Sequence, residues 1–109
     1  MVKPIPLQIL LVLADGDSHG YAVMQAIRAQ TSGSVAVHTA SFYRHLGKLI
    51  AEGWVAEAPG RRGGDDPRRG TYYRLTPRGR QVLADEKRRL TDLVAQMNKV
   101  RLSPKKAPA

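Results

Sequence analysis

The sequence predicts a mainly α-helical chain with a small β-hairpin and a long C-terminal helix. Three observations predict it. Apolar residues recur at helical spacing in several segments, and two short alternating segments flank a long Gly/Pro/Arg stretch. The last apolar stripe repeats every seven residues. At 109 residues and 42% apolar composition the chain suits one domain whose modest core is often completed by a partner. It has no cysteine, and no apolar run approaches the roughly 18–20 residues of a membrane span. The apolar N-terminus carries two early prolines and no small-residue cleavage site, so it is expected to be a helix of the domain rather than a leader. A cytoplasmic location is the default expectation.

Residues 5–14, IPLQILLVLA, are apolar on nearly every side, as in a helix covered by its own core and by a second subunit. Asp15-Gly16-Asp17 ends it, and Ser18 is the expected N-cap of a second helix over about residues 19–30. There Tyr21, Met24 and Ile27 form one stripe, with Val23 beside it. Residues 35–38, VAVH, suggest a short strand or extended piece before Thr39, a second N-cap candidate.

The third helix, within residues 39–55, TASFYRHLGKLIAEGWV, places Phe42, Leu46, Leu49 and Ile50 on one buried stripe. The opposite side carries Ala40, Ser41, Arg44, Lys48 and Ala51, with Tyr43 and His45 on the flanks. Gly53 is the expected stop. Residues 54–58 and 71–76 alternate like strands, the second with Tyr73 and Leu75 on one face and Tyr72 and Arg74 on the other. Between them, PGRRGGDDPRRG holds four glycines, two prolines and four arginines, the composition of a mobile hairpin tip.

Three helices followed by such a hairpin make a winged helix-turn-helix over residues 1–76. Thr76-Pro77 reads as N-cap and first residue of a helix running to about Arg101. Leu83, Leu90 and Met97 recur every seven residues along it, joined by Leu93, Val94 and Val100. About 25 residues would extend on the order of 37 Å, longer than so small a domain can cover, so this segment is the expected homodimer contact. Residues 102–109 have the composition of a disordered basic tail.

The net charge of +9 is unevenly placed. Residues 1–60 carry four basic and four acidic side chains, whereas residues 61–89 carry ten basic and four acidic. Charge concentrated in this way is the footprint of a polyanion binder.

Three stretches in this order resemble the PadR family of transcriptional regulators: LLVLADGDSHGYAVMQAI with its His19-Gly20-Tyr21 signature, SFYRHLGKLIAEGWV, and RRGTYYRLTPRGR. The resemblance spans roughly residues 7–90. It implies a homodimeric winged-helix protein that binds double-stranded DNA, usually a repressor, with the C-terminal helix forming most of the dimer contact. Asp17 stands where the family commonly has proline and Phe42 where it has leucine, and Gly47 replaces a better helix former at a cost of about 1 kcal/mol. Some members stack a flat aromatic drug on a tryptophan of the last helix. Here the one tryptophan, Trp54, belongs to the wing, so no effector identity carries over. A small apolar or aromatic effector remains a family-level expectation, in a cavity between the C-terminal helix and the winged domain lined by the first helix and Met97.

Arg44 is the expected guanine reader and Lys48 a phosphate contact, against the alternative of a merely solvated face. Thr39 and Ser41 are placed to bond phosphate or a base edge at the helix start. Tyr43 has two open roles, a hydroxyl on phosphate or half-buried packing. Arg61, Arg62, Arg68, Arg69 and Tyr72 of the wing complete the DNA-binding set, with the arginines on phosphate or the minor groove. His19 is expected to be structural. His38 and His45, without cysteines or clustered carboxylates, do not argue for a metal, and no cofactor is expected. No nucleophile–base pair of recognised spacing appears, so catalysis is not expected. An acidic protein partner and structured RNA are the competing occupants of the basic surface.

Overall fold

The computed structural model describes residues 1–58 and 70–102, so the four wing arginines and Ser103–Ala109 lie outside it. The elements are α1 (Pro4–Ala14), β1 (Ser18–His19), α2 (Gly20–Gln30), α3 (Thr39–Ala51), β2 (Val55–Glu57), β3 (Tyr72–Leu75) and α4 (Pro77–Asn98). This is the winged helix-turn-helix with a long last helix that the sequence predicts. The sheet is larger than the expected hairpin. It has three strands in the order β1-β3-β2, all neighbours antiparallel. Ser18 pairs with Tyr73 and His19 with Tyr72, so Ser18 belongs to a strand and does not cap α2.

The core is built from one stripe of each of the first three helices. Ile9, Leu10 and Leu13 of α1 meet Val23 and Ile27 of α2 and Phe42, Leu46 and Leu49 of α3, closed by Val37, Val55 and Leu75. Tyr21 is not part of it: α2 buries Gly20, Val23 and Ile27, leaving Tyr21 exposed with its hydroxyl accepting from Gln25 Nε2 at 2.7 Å. Ile50, at the margin of the α3 stripe, is likewise partly exposed. Val35–His38 is not a strand. Val37 enters the core from a loop, and His38 rather than Thr39 is the N-cap residue of α3.

The turn from α3 into the wing is closed by two backbone bonds, Gly53 N–H to Ile50 O and Trp54 N–H to Leu49 O, both 3.0 Å. This pattern needs a residue of positive φ, and Gly53 supplies it at φ 80°. Thr76 then ties the wing to α4. Its amide donates to Trp54 O at 3.1 Å, its hydroxyl donates to Gly53 O at 2.6 Å, and its Oγ1 accepts the Gly79 amide at 2.9 Å. Gly79 lies so close to Trp54 that a Cβ would overlap the Trp54 carbonyl oxygen.

Only the first half of α4 is covered. Val82 and Leu83 pack on the core, whereas every residue from Leu90 to Leu102 is exposed. One buried carboxylate fastens the covered half to the start of the chain. Glu86 accepts from the Val2 amide at 3.0 Å and from Arg89 Nε and Nη2 at 2.7 and 2.8 Å. The Arg89 guanidinium, followed by the Val2 amide, outweighs burial and holds this carboxyl at about 2.

A carboxyl whose folded value lies below its unfolded value of roughly 4.3 stabilises the fold above that pH. The contribution is lost as pH falls towards 2. In urea unfolding the wild type should therefore be more stable than Glu86→Gln at pH 6, and the gap should narrow between about pH 5 and 2. A gap that does not change with pH would contradict this role.

Candidate nucleic-acid interface

Burial of Phe42, Leu46 and Leu49 fixes the roll of α3 and turns its other side outward. Thr39, Arg44 and Lys48 are exposed on that side, and Ser41 is half-buried. Among the described residues neither Arg44 nor Lys48 has an acidic ion-pair partner; the ion pairs there are Arg88–Asp85 and Arg89–Glu86 on α4. His45, at the margin of the face, is held below the ordinary histidine range first by burial and then by Arg44, Lys48 and Lys3. This favours its uncharged form. Lys3, at the start of the chain, is close enough to His45 to contribute to this lowering.

Beside it, α2 begins against the sheet. His19 Nδ1 accepts the Ala22 amide at 3.3 Å, capping α2, and the ring meets Tyr72 edge-on at 5.4 Å. The structural role expected for His19 is thus seen, and Tyr72 is half-buried against it. Tyr43 is 45% exposed, with its ring edge-on to Phe42 and its hydroxyl end over Gly20. Tyr73, on the neighbouring strand, is raised above the ordinary tyrosine value, mainly by burial and then by Tyr43 and Glu57, although a hydrogen bond with Thr71 works the other way.

A second feature lies away from this face. An open groove of about 580 Å³ runs between α1 and α4, floored by Leu7, Leu11, Leu83, Ala84, Leu90 and Val94, with Arg80, Lys87 and Thr91 at its margin. Met97 does not line it.

A family model described as the transcriptional regulator PadR-like family matches residues 9–85. The chain belongs to the PadR-like family of transcriptional regulators. No curated protein matches it. Among solved structures, a transcriptional regulator from Clostridium thermocellum is 26% identical over 87% of each chain, with a TM-score of 0.71. A PadR family transcription regulator from Clostridium difficile is 22% identical, covering 87% of this chain and 95% of that one, with a TM-score of 0.71. A PadR-like transcription factor from Bacteroides fragilis is 16% identical over 89% of each chain, with a TM-score of 0.72. The last two resemblances show a shared fold alone.

In this PadR-like chain Arg44 and Lys48 are exposed on α3 opposite its buried stripe, Thr39 and Ser41 lie in its first turn, Tyr43 is on its flank, and Tyr72 is beside His19 at the start of α2. Arg61, Arg62, Arg68 and Arg69 fall outside the described residues. Leu83 is half-buried on the winged domain, while Leu90, Leu93, Val94, Met97 and Val100 are exposed. Lys3 and Gly20 are additions that sequence reasoning missed. Lys3 is distant in sequence from α3, and Gly20 was noted only as part of a signature. No described helix is long and apolar enough to cross a membrane.

Gly47 lies exposed in mid-helix, and a Cβ there would meet nothing within 4 Å. Nothing among the described residues requires glycine there. Gly47→Ala should raise stability by about 0.5–1 kcal/mol, measured by thermal or urea unfolding. A loss of stability would mean that the helix needs a bend the structure does not show.

Proposed function

We propose that the protein is a homodimeric, sequence-specific repressor that binds a palindromic DNA operator and is released by a small apolar or aromatic effector. The observation that carries this reading is the α3 face: an anchored apolar back and an exposed front bearing Arg44 and Lys48. Such a helix fits the major groove. Arg44 pairs its two donors with a guanine, Lys48 and Thr39 or Ser41 hold phosphates, and Arg61, Arg62, Arg68, Arg69 and Tyr72 of the wing follow the backbone. The charge distribution agrees, because all of the excess positive charge follows residue 60.

Residues 1–76 act as the DNA-binding part, and α4 with the residues after it joins two copies. Support for the dimer comes from the uncovered stripe of Leu90, Leu93, Val94, Met97 and Val100, which continues from the α1–α4 groove. A ligand settling in that groove would favour a subunit arrangement whose two α3 helices no longer match successive major grooves. No arrangement of nucleophile and base on this face supports a catalytic role.

Fluorescence anisotropy with operator and random duplexes tests the reading. Arg44→Ala should weaken operator binding by about 1–3 kcal/mol per half-site and relax base preference at one position. Affinity for random DNA should fall far less. Equal losses on both duplexes would reduce Arg44 to a phosphate contact, and a wild type with no preference for any duplex would overturn the reading.

A further inference from the structure

Gly20 is the first residue of α2, where the backbone is helical and no positive φ calls for glycine. Any side chain would serve the helix better, by up to about 1 kcal/mol for alanine in an interior turn. The reason for glycine is instead a neighbour. A Cβ on Gly20 would overlap the Tyr43 hydroxyl and lie 3.0 Å from Tyr43 Cζ and 3.2 Å from Cε1. Gly20 is therefore a flat seat for the ring of Tyr43, on the helix that carries Arg44.

The seat is itself firmly held. His19 precedes it, with its side chain capping α2 and its ring against Tyr72. Its backbone belongs to β1, paired to β3. Tyr43 thus rests on the point where α2 begins and β1 ends, beside the strand that leads out of the wing. The influence of Tyr43 on the Tyr73 hydroxyl is consistent with that closeness.

We infer that Tyr43 is a positioning residue, whose ring on Gly20 fixes the angle at which α3 presents Arg44 to DNA. This rests on the reading of α3 as the DNA-facing helix. The hydroxyl is dispensable in this account and the ring is not. Because the obstructed atoms are the far end of a side chain, Gly20→Ala displaces the ring and leaves the fold in place.

The test is a double-mutant cycle in the full chain, read by operator and random-duplex anisotropy and by urea unfolding. Tyr43→Phe should bind operator within about two-fold of wild type, with unchanged salt dependence. Tyr43→Ala and Gly20→Ala should each weaken operator binding by about ten-fold while changing random-duplex affinity little. The double variant should be no worse than Tyr43→Ala alone.

If Tyr43→Phe loses as much as Tyr43→Ala, with the salt slope reduced by about one, the residue is a phosphate contact and the inference is overturned. Additive losses in the cycle would overturn it as well. Should the wild type bind no duplex, the DNA reading fails on its own. The unfolding cycle still decides the seat: coupling between the two positions supports it, and independence removes it.

Discussion

The rest of the structure depends on the burial of three side chains, Phe42, Leu46 and Leu49, in the core where α3 packs on α1. They are the residues that α3 buries, and Phe42 and Leu46 are almost completely withdrawn from water. Burying a side chain of this kind is worth roughly 1.5–3 kcal/mol, so rotating α3 about its axis would forfeit several such terms together. That is why the opposite face is predetermined. Arg44 and Lys48 point outward because the positions that could have replaced them in the core are already filled. A phenylalanine where the family commonly has leucine fits this picture, since the site accommodates it fully.

The second constraint is where α4 leaves the domain. Thr76 joins the wing to the helix through three hydrogen bonds, and Gly79 allows the helix to approach the Trp54 backbone more closely than any side chain would permit. Glu86 then holds the next turns to the start of the chain. The direction of α4 is thus set within its first three turns. The rest of α4, from Leu90 to Asn98, continues along that line without cover among the described residues, carrying its apolar stripe away from the core. For a dimer built on that stripe, the angle at this junction sets the separation of the two α3 helices.

Much of the fold was legible because periodicity and punctuation agree. The α3 stripe, the Gly53 stop and the Thr76-Pro77 start each follow from local chemistry that acts within one turn. What was missed depends on distant partners or on backbone angles. A two-residue strand has no period of its own, so β1 exists only because Tyr72 and Tyr73 lie beside it. His19 and His38 take the cap positions expected of Ser18 and Thr39, because the chain stays extended one residue longer at His19 and is already helical at Thr39. Tyr21 has the spacing of a core residue, but Gly20, Val23 and Ile27 define the buried line. The site was legible as a face and not as a set of contacts. Arg44 and Lys48 could be read from the helix period, whereas the seat of Tyr43 on Gly20 joins residues on two different helices.

The central claim is that two copies of the α3 face read one symmetric DNA site, and hydroxyl-radical footprinting of an operator selected from random duplexes tests it most directly. The account predicts two protected patches on one side of the duplex, related by a two-fold axis, with centres about 34 Å apart. A single patch without symmetry, or protection that ignores sequence, would contradict it.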